Sequence, residues 1–403
     1  MLFTLIKNEF IKISKRGKTW IVFALFALCV IGAAFLNNYS AKQTEYHNSP
    51  EGRIEQLNDQ IKWANERIEN AEKYNDKWAE EDKAQAKKDI EKFKEEIKLQ
   101  EERKKNPDDP NIWKKQLEDE KKGVEERLKD TTIPERYKNY DKDRLKEINM
   151  YLENDMKPVE EWEFDAINFA TGLLQMIGLI VLVAGIAVFM SDIVSGESTP
   201  ATLKFLLVQP ISRGKVILSK FITVVLTVVG MIVGLEVAAF GVVGAITGFD
   251  AAKMPKVIGT KFYFDYSDSV AQIMPVENSG ILSTRGEALL QSLALQVLFI
   301  VACCAFIFLI SAVFKSSMIT MALSVIISVA GTMICIMSRA AGKFAHLIFL
   351  NYGNTAAVVD GNVALMFNNP SFSMGLGIAL MVGTIVVSYV LAHIVFSKKD
   401  ILV

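Results

Sequence analysis

The 403-residue sequence is poor in histidine and cysteine, with three histidines and four cysteines. All four cysteines fall inside apolar segments and lack metal-ligand spacing, so buried free thiols are expected. The histidines are scattered, and we predict no metal site. No arrangement of Ser, His and Asp residues stands out, so no catalytic residue is predicted. The phosphate-binding pattern GxxxxGK(S/T) is also absent, which indicates that the chain binds no nucleotide cofactor of its own.

Charged residues are unevenly distributed along the chain. The sequence has 45 Lys and Arg and 46 Asp and Glu residues, and roughly two thirds of them lie between residues 41 and 165. That stretch is net acidic by about eight charges, and the remainder is net basic by about seven. Outside it, basic residues flank apolar segments, so no nucleic-acid-binding surface is predicted. The composition indicates a membrane protein with one large soluble insert.

Six apolar segments are long enough to cross a bilayer as helices. They comprise approximately residues 20–36, 169–190, 216–248, 289–314, 318–337 and 374–396. If six spans alternate, most basic flanks fall on one side, which the positive-inside rule makes cytoplasmic. Arg339 and Lys343 are the clearest exceptions. We therefore predict a multi-pass plasma-membrane protein with both termini in the cytoplasm.

An amphipathic pattern precedes the first span, over residues 2–16. Apolar residues recur at helical spacing on one face, and basic residues take the other. The apolar face consists of Phe3, Ile6, Phe10 and Ile13. This pattern predicts an interfacial helix on the anionic cytoplasmic leaflet. A cleaved signal peptide is the alternative, because basic residues precede an apolar run that contains small residues.

The charged insert, residues 38–165, has the pattern of a helical hairpin. Apolar residues keep heptad spacing between Ile54 and Ile97, which predicts a coiled coil. Pro107 and Pro110 must end this helix, and the chain then returns through shorter helices. Because spans flank the insert, we predict an antiparallel stalk on the extracellular side. Most of its charge is expected to be solvated surface; the alternative is a contact arm for an extracellular ligand or envelope partner.

The loop between the second and third spans, residues 191–215, carries the most informative pattern. Ser198, Thr199 and Pro200 form a helix-start signal, and apolar residues follow at helical spacing. The loop is amphipathic and basic, which predicts a short helix along the cytoplasmic membrane surface. A plain interfacial linker is the alternative. The distinctive residues of the loop are Glu197, Thr202, Leu203, Phe205, Leu206 and Arg213.

This pattern, continued by Pro210 and Lys220, resembles the cytoplasmic loop of ABC-2 type transporter permeases. In that family the loop forms a coupling helix that docks on an ATPase subunit, so the resemblance implies that the six residues contact an ATPase. The family usually has glycine before the Thr-Leu pair, where this chain has Ala201. Short helices between the fifth and sixth spans are also a family feature. Here they fall in residues 342–372, which we expect to dip partly into the outer leaflet.

Together these observations predict an all-α membrane protein with three parts. Residues 1–37 hold the interfacial helix and first span, residues 38–165 form the extracellular insert, and residues 166–403 contain five further spans. The resemblance implies a dimer with a second permease, the same or related. It also implies two ATPase subunits that bind ATP and Mg, and export rather than import. A peptide, a lipid or glycan, a drug and an ion all remain open as cargo.

Glu236 is the most unusual single residue, because it lies in the middle of the third predicted span. An ionisable group at membrane depth is unfavourable and normally faces protein or water. One interpretation is a functional carboxylate on a substrate path or sensitive to protons. The other is a hydrogen bond to a neighbouring helix, for instance to Gln175, Gln291 or Gln296.

A membrane-anchored sensor or scaffold is the main alternative function, with the stalk binding an envelope partner. Six spans and the coupling pattern favour the transporter, since an anchor needs one or two spans. An intramembrane enzyme is disfavoured, because paired catalytic groups are missing. The insert, rich in Lys and Glu and poor in Ala, is typical of a low-GC bacterium.

Overall fold

The computed structural model describes residues 2–74, 79–105, 112–198, 212–267 and 270–398. Over these residues the chain is mostly helical. It forms two compact units. The larger unit comprises residues 1–34, 119–159 and 165–403, and the smaller comprises residues 35–118 and 160–164. The predicted insert is therefore not one body, because residues 119–159 group with the apolar helices.

The chain begins with the predicted amphipathic helix, α1, at Leu2–Ser14. Helix α2 follows at Gly17–Asn48 and is longer than the predicted first span. No glycine or proline interrupts the sequence between Gly32 and Pro50, so nothing ends the helix where its apolar part stops. Pro50 then occupies the first position of the next helix, which suits its fixed φ angle and missing N–H.

The smaller unit is built on a helical hairpin of α3, Pro50–Tyr74, and α4, Ala79–Lys105. The two helices pack along their lengths. Ion pairs show the antiparallel register: Arg53 to Glu96 at 2.8 Å, and Lys104 to Glu51 at 3.1 Å. The apolar seam consists of Leu57, Ala64 and Ala86.

The sequence pattern predicted one helix from Ile54 to the two prolines, and that prediction is wrong. Helix α3 ends at Tyr74, and the antiparallel α4 begins at Ala79, ahead of the prolines. The reversal lets the heptad stripes of α3 and α4 bury each other directly. In a straight helix, the apolar stripe could be buried only by the segments that follow the prolines.

Deleting residues 50–105, with a short Gly-Ser bridge in their place, is expected to leave membrane insertion and thermal stability unchanged. The Glu51–Lys104 pair shows that the hairpin closes at its base, so a short bridge spans the gap. Insertion is measured by fractionation, and stability by thermal unfolding in detergent. A deletion of residues 50–159 is the contrasting variant and is expected to destabilise the protein, because it also removes a helix of the larger unit. Equal loss in both variants would contradict this division.

That helix is α6, Glu135–Glu153, which follows α5 at Ile112–Lys129. It packs on short strands that lie within residues 255–284. The Asn139 amide nitrogen donates to the Pro275 carbonyl at 2.9 Å, and Arg136 pairs with Asp265 at 2.9 Å. The side chains of α6 therefore bond both to the backbone and to a side chain of the strands.

The four strands are β1 Pro255–Ile258, β2 Phe262–Asp265, β3 Gln272–Pro275 and β4 Ile281–Thr284. β1 pairs antiparallel with β4, and β2 pairs antiparallel with β3. The all-α prediction missed them, although aromatic and β-branched residues favour strands here. Their pairing satisfies the backbone polar groups of a loop that lies against the helices.

The second predicted span is a broken helix. It consists of α7, Ala166–Ile177, and α8, Val181–Met190, bent by 63°. Gly178 lies at the break, and its backbone approaches the backbone of Gly353 so closely that a side chain on either residue would overlap the other. Asp165 caps α7 by accepting from the Ile167 N–H at 2.8 Å.

The remaining apolar helices are α9 Arg213–Thr247, α10 Arg285–Val313, α11 Ser317–Val325, α12 Gly331–Met337 and, last in the chain, Met374–Lys398. A π-helical turn, Ile326–Ala330, joins α11 to α12. The buried face of this joined helix packs against α8 and α10 and consists of Thr320, Ser324, Ser328, Thr332 and Cys335. Counting α11 and α12 as one, five described helices are long and apolar enough to cross a membrane, or six with the bent pair α7–α8.

Residues 339–366 form short helices, of which the stretch 349–360 is almost entirely buried. They are α13 Arg339–Gly342, two 3₁₀ turns at Ala345–Leu347 and Phe349–Tyr352, α14 Thr355–Asp360 and α15 Val363–Met366. The last long helix, Met374–Lys398, is therefore α16. The short helices pack against α7, α10 and α16, and Tyr352 is among the largest fully buried side chains. Lys256 of β1 pairs with Asp360 at 2.8 Å, and this ion pair joins the short helices to the strands.

Candidate functional site

The segment between α8 and α9 is the first candidate site. Within it, Thr202, Leu203, Phe205 and Leu206 lie outside the described residues, as does the side chain of Glu197. Both ends of the segment are described: a 3₁₀ turn at Ser195–Ser198 follows α8, and Ser212 precedes α9. These two ends show how the segment is attached to the helices.

At the first end, Asp192 is held by the junction between α1 and α2. Arg16 approaches its carboxylate at 3.3 Å and Lys18 at 3.0 Å. Lys18 also donates to the Ser191 hydroxyl at 2.9 Å. The group carries two positive charges and one negative charge and is partly exposed. Because they are partly exposed, these ion pairs add little to the free energy of unfolding, and their main effect is to hold Asp192 in place.

Serine hydroxyls hold the same end from the other side. The backbone N–H groups of Val194 and Ser195 both donate to the Ser311 hydroxyl, each at 3.2 Å. The Ser195 hydroxyl donates to the Ser191 carbonyl at 2.6 Å and lies 3.1 Å from the Ser317 hydroxyl. The chain after α8 is thereby bonded to the end of α10 and the start of α11, with its buried backbone groups satisfied.

At the second end, α9 begins against the last turn of α16. The Arg213 guanidinium donates to the Ser397 carbonyl at 3.2 Å. Gly214 packs on the His393 imidazole, where a methyl group would come within 2.8 Å of a ring carbon. This end of the segment is therefore fixed by both a hydrogen bond and close packing.

About two turns further along α9, Lys220 pairs with Glu9 of α1 at 2.9 Å. Lys220 is 1% exposed and the Glu9 side chain 15%. Burying a lysine in an apolar environment is unfavourable unless a partner offsets its charge. Glu9 supplies that partner, so α1 is part of the bundle and not only a surface helix.

These contacts define what we call the coupling anchor: Arg16, Lys18, Asp192, Ser195, Ser311 and Arg213. It connects residues 199–211 to α2, α8, α9, α10, α11 and α16. The two ends of that segment are therefore attached to most of the long helices. In the described part of the chain, no group of three or more His, Cys, Asp or Glu residues is placed to hold a metal ion.

Glu236, the second candidate, lies in the middle of α9 and is 5% exposed. Its Oε1 accepts from the Gln296 amide nitrogen on α10 at 2.8 Å. Of the three glutamines proposed as partners, the structure selects Gln296. The second carboxyl oxygen of Glu236 and the amide oxygen of Gln296 are buried and have no hydrogen-bond partner among the described residues.

Comparison with protein families agrees with the resemblance. The model described as "ABC-2 family transporter protein" matches residues 3–401, which is nearly the whole chain. The chain belongs to the ABC-2 family of transporter proteins. This ABC-2 protein is also similar to "Uncharacterized protein YhcI" of Bacillus subtilis (strain 168), with 23% identity over 412 residues that cover 99% of each chain. Family membership makes it a multi-pass membrane component of an ABC transporter.

Sequence reasoning found only part of the anchor of this ABC-2 protein. Arg213 was predicted to contact an ATPase subunit, which stays a prediction; within this chain its guanidinium donates to the Ser397 carbonyl. Arg16 and Lys18 were interpreted only as basic flanks of the first span, and Asp192 was not singled out. The usable signal was that Asp192 is one of two acidic residues, with Glu197, in a loop that is otherwise basic. Its partners lie 176 and 174 residues away, so local pattern does not pair them.

Two substitutions of Glu236 in this ABC-2 protein distinguish a functional carboxylate from a hydrogen bond between helices. Glu236→Gln retains a hydrogen-bond acceptor for Gln296, and we expect the free energy of unfolding to change by less than ~0.5 kcal/mol. Glu236→Leu leaves the Gln296 amide buried and unpaired, which costs roughly 1–3 kcal/mol. Thermal unfolding of the purified protein in detergent measures both effects.

Gln291→Leu is the matched control, because Gln291 lies on α10 with Gln296 but does not form the hydrogen bond to Glu236. A loss in Glu236→Gln as large as that in Glu236→Leu would show that the carboxyl group itself is required. That outcome would favour the functional carboxylate over the hydrogen bond between helices.

Proposed function

We propose that this protein is the membrane-spanning permease subunit of an ABC exporter whose ATP hydrolysis takes place on a separate ATPase subunit. The observation that supports this most is the coupling anchor. A segment with the sequence pattern of a coupling helix is attached at both ends to the long helices. A plain linker between two spans has no need of such attachment.

The proposed topology has six spans, with α7 and α8 together forming the second. The ends of α8, α10 and α16 and the starts of α2, α9 and α11 share one side of the bundle, because the anchor joins them. Arg16, Lys18 and Arg213 lie on that side, so the positive-inside rule places it in the cytoplasm. The hairpin of α3 and α4 is then extracellular.

In this proposal, ATP and Mg bind the partner ATPase and not this chain. Closure of two ATPase subunits would push on residues 199–211 of two permeases. The anchor would pass that displacement to the spans and switch them between inward-open and outward-open states. Glu197, Thr202, Leu203, Phe205 and Leu206 are proposed as the docking residues, since they carry the family pattern.

Gentle purification of the tagged protein from its own membranes tests this proposal. A stoichiometric ATPase subunit is expected to co-purify, and to be lost when Glu197 and Leu203 are both changed to alanine. Trp63→Ala is the matched control, because Trp63 lies on the exposed surface of the hairpin. An envelope protein bound to the hairpin, without any ATPase, would instead support a scaffold function.

A further inference from the structure

A groove lies between α2, α8 and α9. It is open along one side and is lined only by apolar residues. Val22 and Phe26 form one wall, Phe189 and Gly185 the second, and Met231 the third. A ligand would therefore lie along the groove and not inside an enclosed cavity.

Trp20 gives the depth of this groove in the bilayer. It is 61% exposed, and its indole N–H donates to the Ser14 carbonyl at 2.9 Å. Exposed tryptophans with a bonded indole mark the level of the lipid headgroups. Val22 and Phe26 follow Trp20 by about 3 and 9 Å along α2, at 1.5 Å per residue. The groove therefore starts directly beneath the headgroups, at the depth of the upper acyl chain.

The mouth of the groove carries a net positive charge. Arg16 and Lys18 precede Val22 at the start of α2, and Asp192 follows Phe189 at the end of α8. The two cations exceed the one carboxylate by a single charge. Arg16 has five N–H donors and directs one of them at Asp192, so donors remain for an anionic oxygen. A phosphate is complementary to such a site.

We propose that the groove binds one phospholipid, with an acyl chain between α2, α8 and α9 and its phosphate at Arg16 and Lys18. The apolar lining and the depth of the groove match the acyl chain, and the positive charge at its mouth matches the phosphate. The bound headgroup would contact the same cations that hold Asp192. The lipid thereby becomes part of the coupling anchor. This inference goes beyond the proposed transport function and does not depend on its direction.

Gly185→Leu tests the groove by filling it. A side chain begun at Gly185 meets no atom within 4 Å, so leucine is accommodated and occupies the space of the acyl chain. Gly230→Leu is the matched control: Gly230 is equally open and lies on α9 near the depth of Met231, but it is not among the residues that line the groove. Native mass spectrometry of the protein purified in mild detergent counts the phospholipid retained by each chain.

Wild-type protein and Gly230→Leu are expected to retain one phospholipid, and Gly185→Leu to retain roughly tenfold less. Equal retention in all three proteins, or none in the wild type, would overturn the proposal. A photo-reactive phenylalanine analogue at position 26 provides a second readout. A lipid adduct supports the proposal. A peptide adduct, from this chain or a second copy, would show that protein covers the groove.

Discussion

Gly178→Ala is expected to reduce the free energy of unfolding by about 3 kcal/mol, the upper part of the range for overpacked interiors. The physical reason is the backbone contact between Gly178 and Gly353 at the break between α7 and α8. A methyl group on Gly178 would overlap the Gly353 carbonyl, and one on Gly353 would also come within 2.8 Å of the Phe299 ring. Neither backbone is free to retreat, because both lie inside the bundle.

The measurement is the thermal unfolding midpoint of the purified protein, together with the yield of monodisperse material. Gly185→Ala is the matched control on α8. It adds a methyl group in open space within a helix, where alanine is favoured over glycine by up to about 1 kcal/mol. Gly353→Ala should reproduce the loss seen with Gly178→Ala. Wild-type stability in both variants would mean that the two backbones are not in contact.

Lys220→Met is expected to destabilise the protein by roughly 3–5 kcal/mol, because it leaves the carboxylate of Glu9 buried without its partner. The double variant Lys220→Met with Glu9→Met removes both charges. Apolar replacement of a whole buried pair is commonly neutral or stabilising, so the double variant should recover most of the loss. Thermal unfolding of the four proteins completes a double-mutant cycle.

Lys7→Met is the control for a charge on the exposed face of α1, and its effect should stay within about 0.5 kcal/mol. Additive losses in the two single variants, without recovery in the double, would contradict a direct interaction. In that case α1 would be held to α9 by packing alone.

The long apolar helices were predictable because composition alone identifies them. α9, α10 and α16 lie where hydropathy placed spans, since an uninterrupted apolar run has few alternatives to a helix. The break at Gly178 was not predictable in this way. Its cause is Gly353, far along the chain, and the sequence around Gly178 remains apolar throughout.

The hairpin shows the same limit in the soluble part. Heptad spacing predicted helices correctly, but it does not say which stripes meet. Pairing of α3 with α4 required knowing that the chain reverses before Ala79. The Glu236 site was predictable in part. Its depth in the membrane predicted a hydrogen-bond partner on a neighbouring helix, and three glutamines were consistent with the sequence. Only packing of α9 against α10 distinguishes Gln296 from the others.

The π turn at Ile326–Ala330 has a consequence for the alignment of side chains. In a regular helix of 3.6 residues per turn, positions four apart rotate by about 40° at each step. Three such steps separate Thr320 from Thr332 by about 120°. The wider turn takes up much of this rotation, so four hydroxyl groups stay on one line along the helix. A regular α-helix over the same residues would turn Thr332 away from that line by about 120°. Loss of one residue from this turn would instead restore a regular helix and keep the line, because eleven steps of about 100° bring the two threonines to within about 20° of each other.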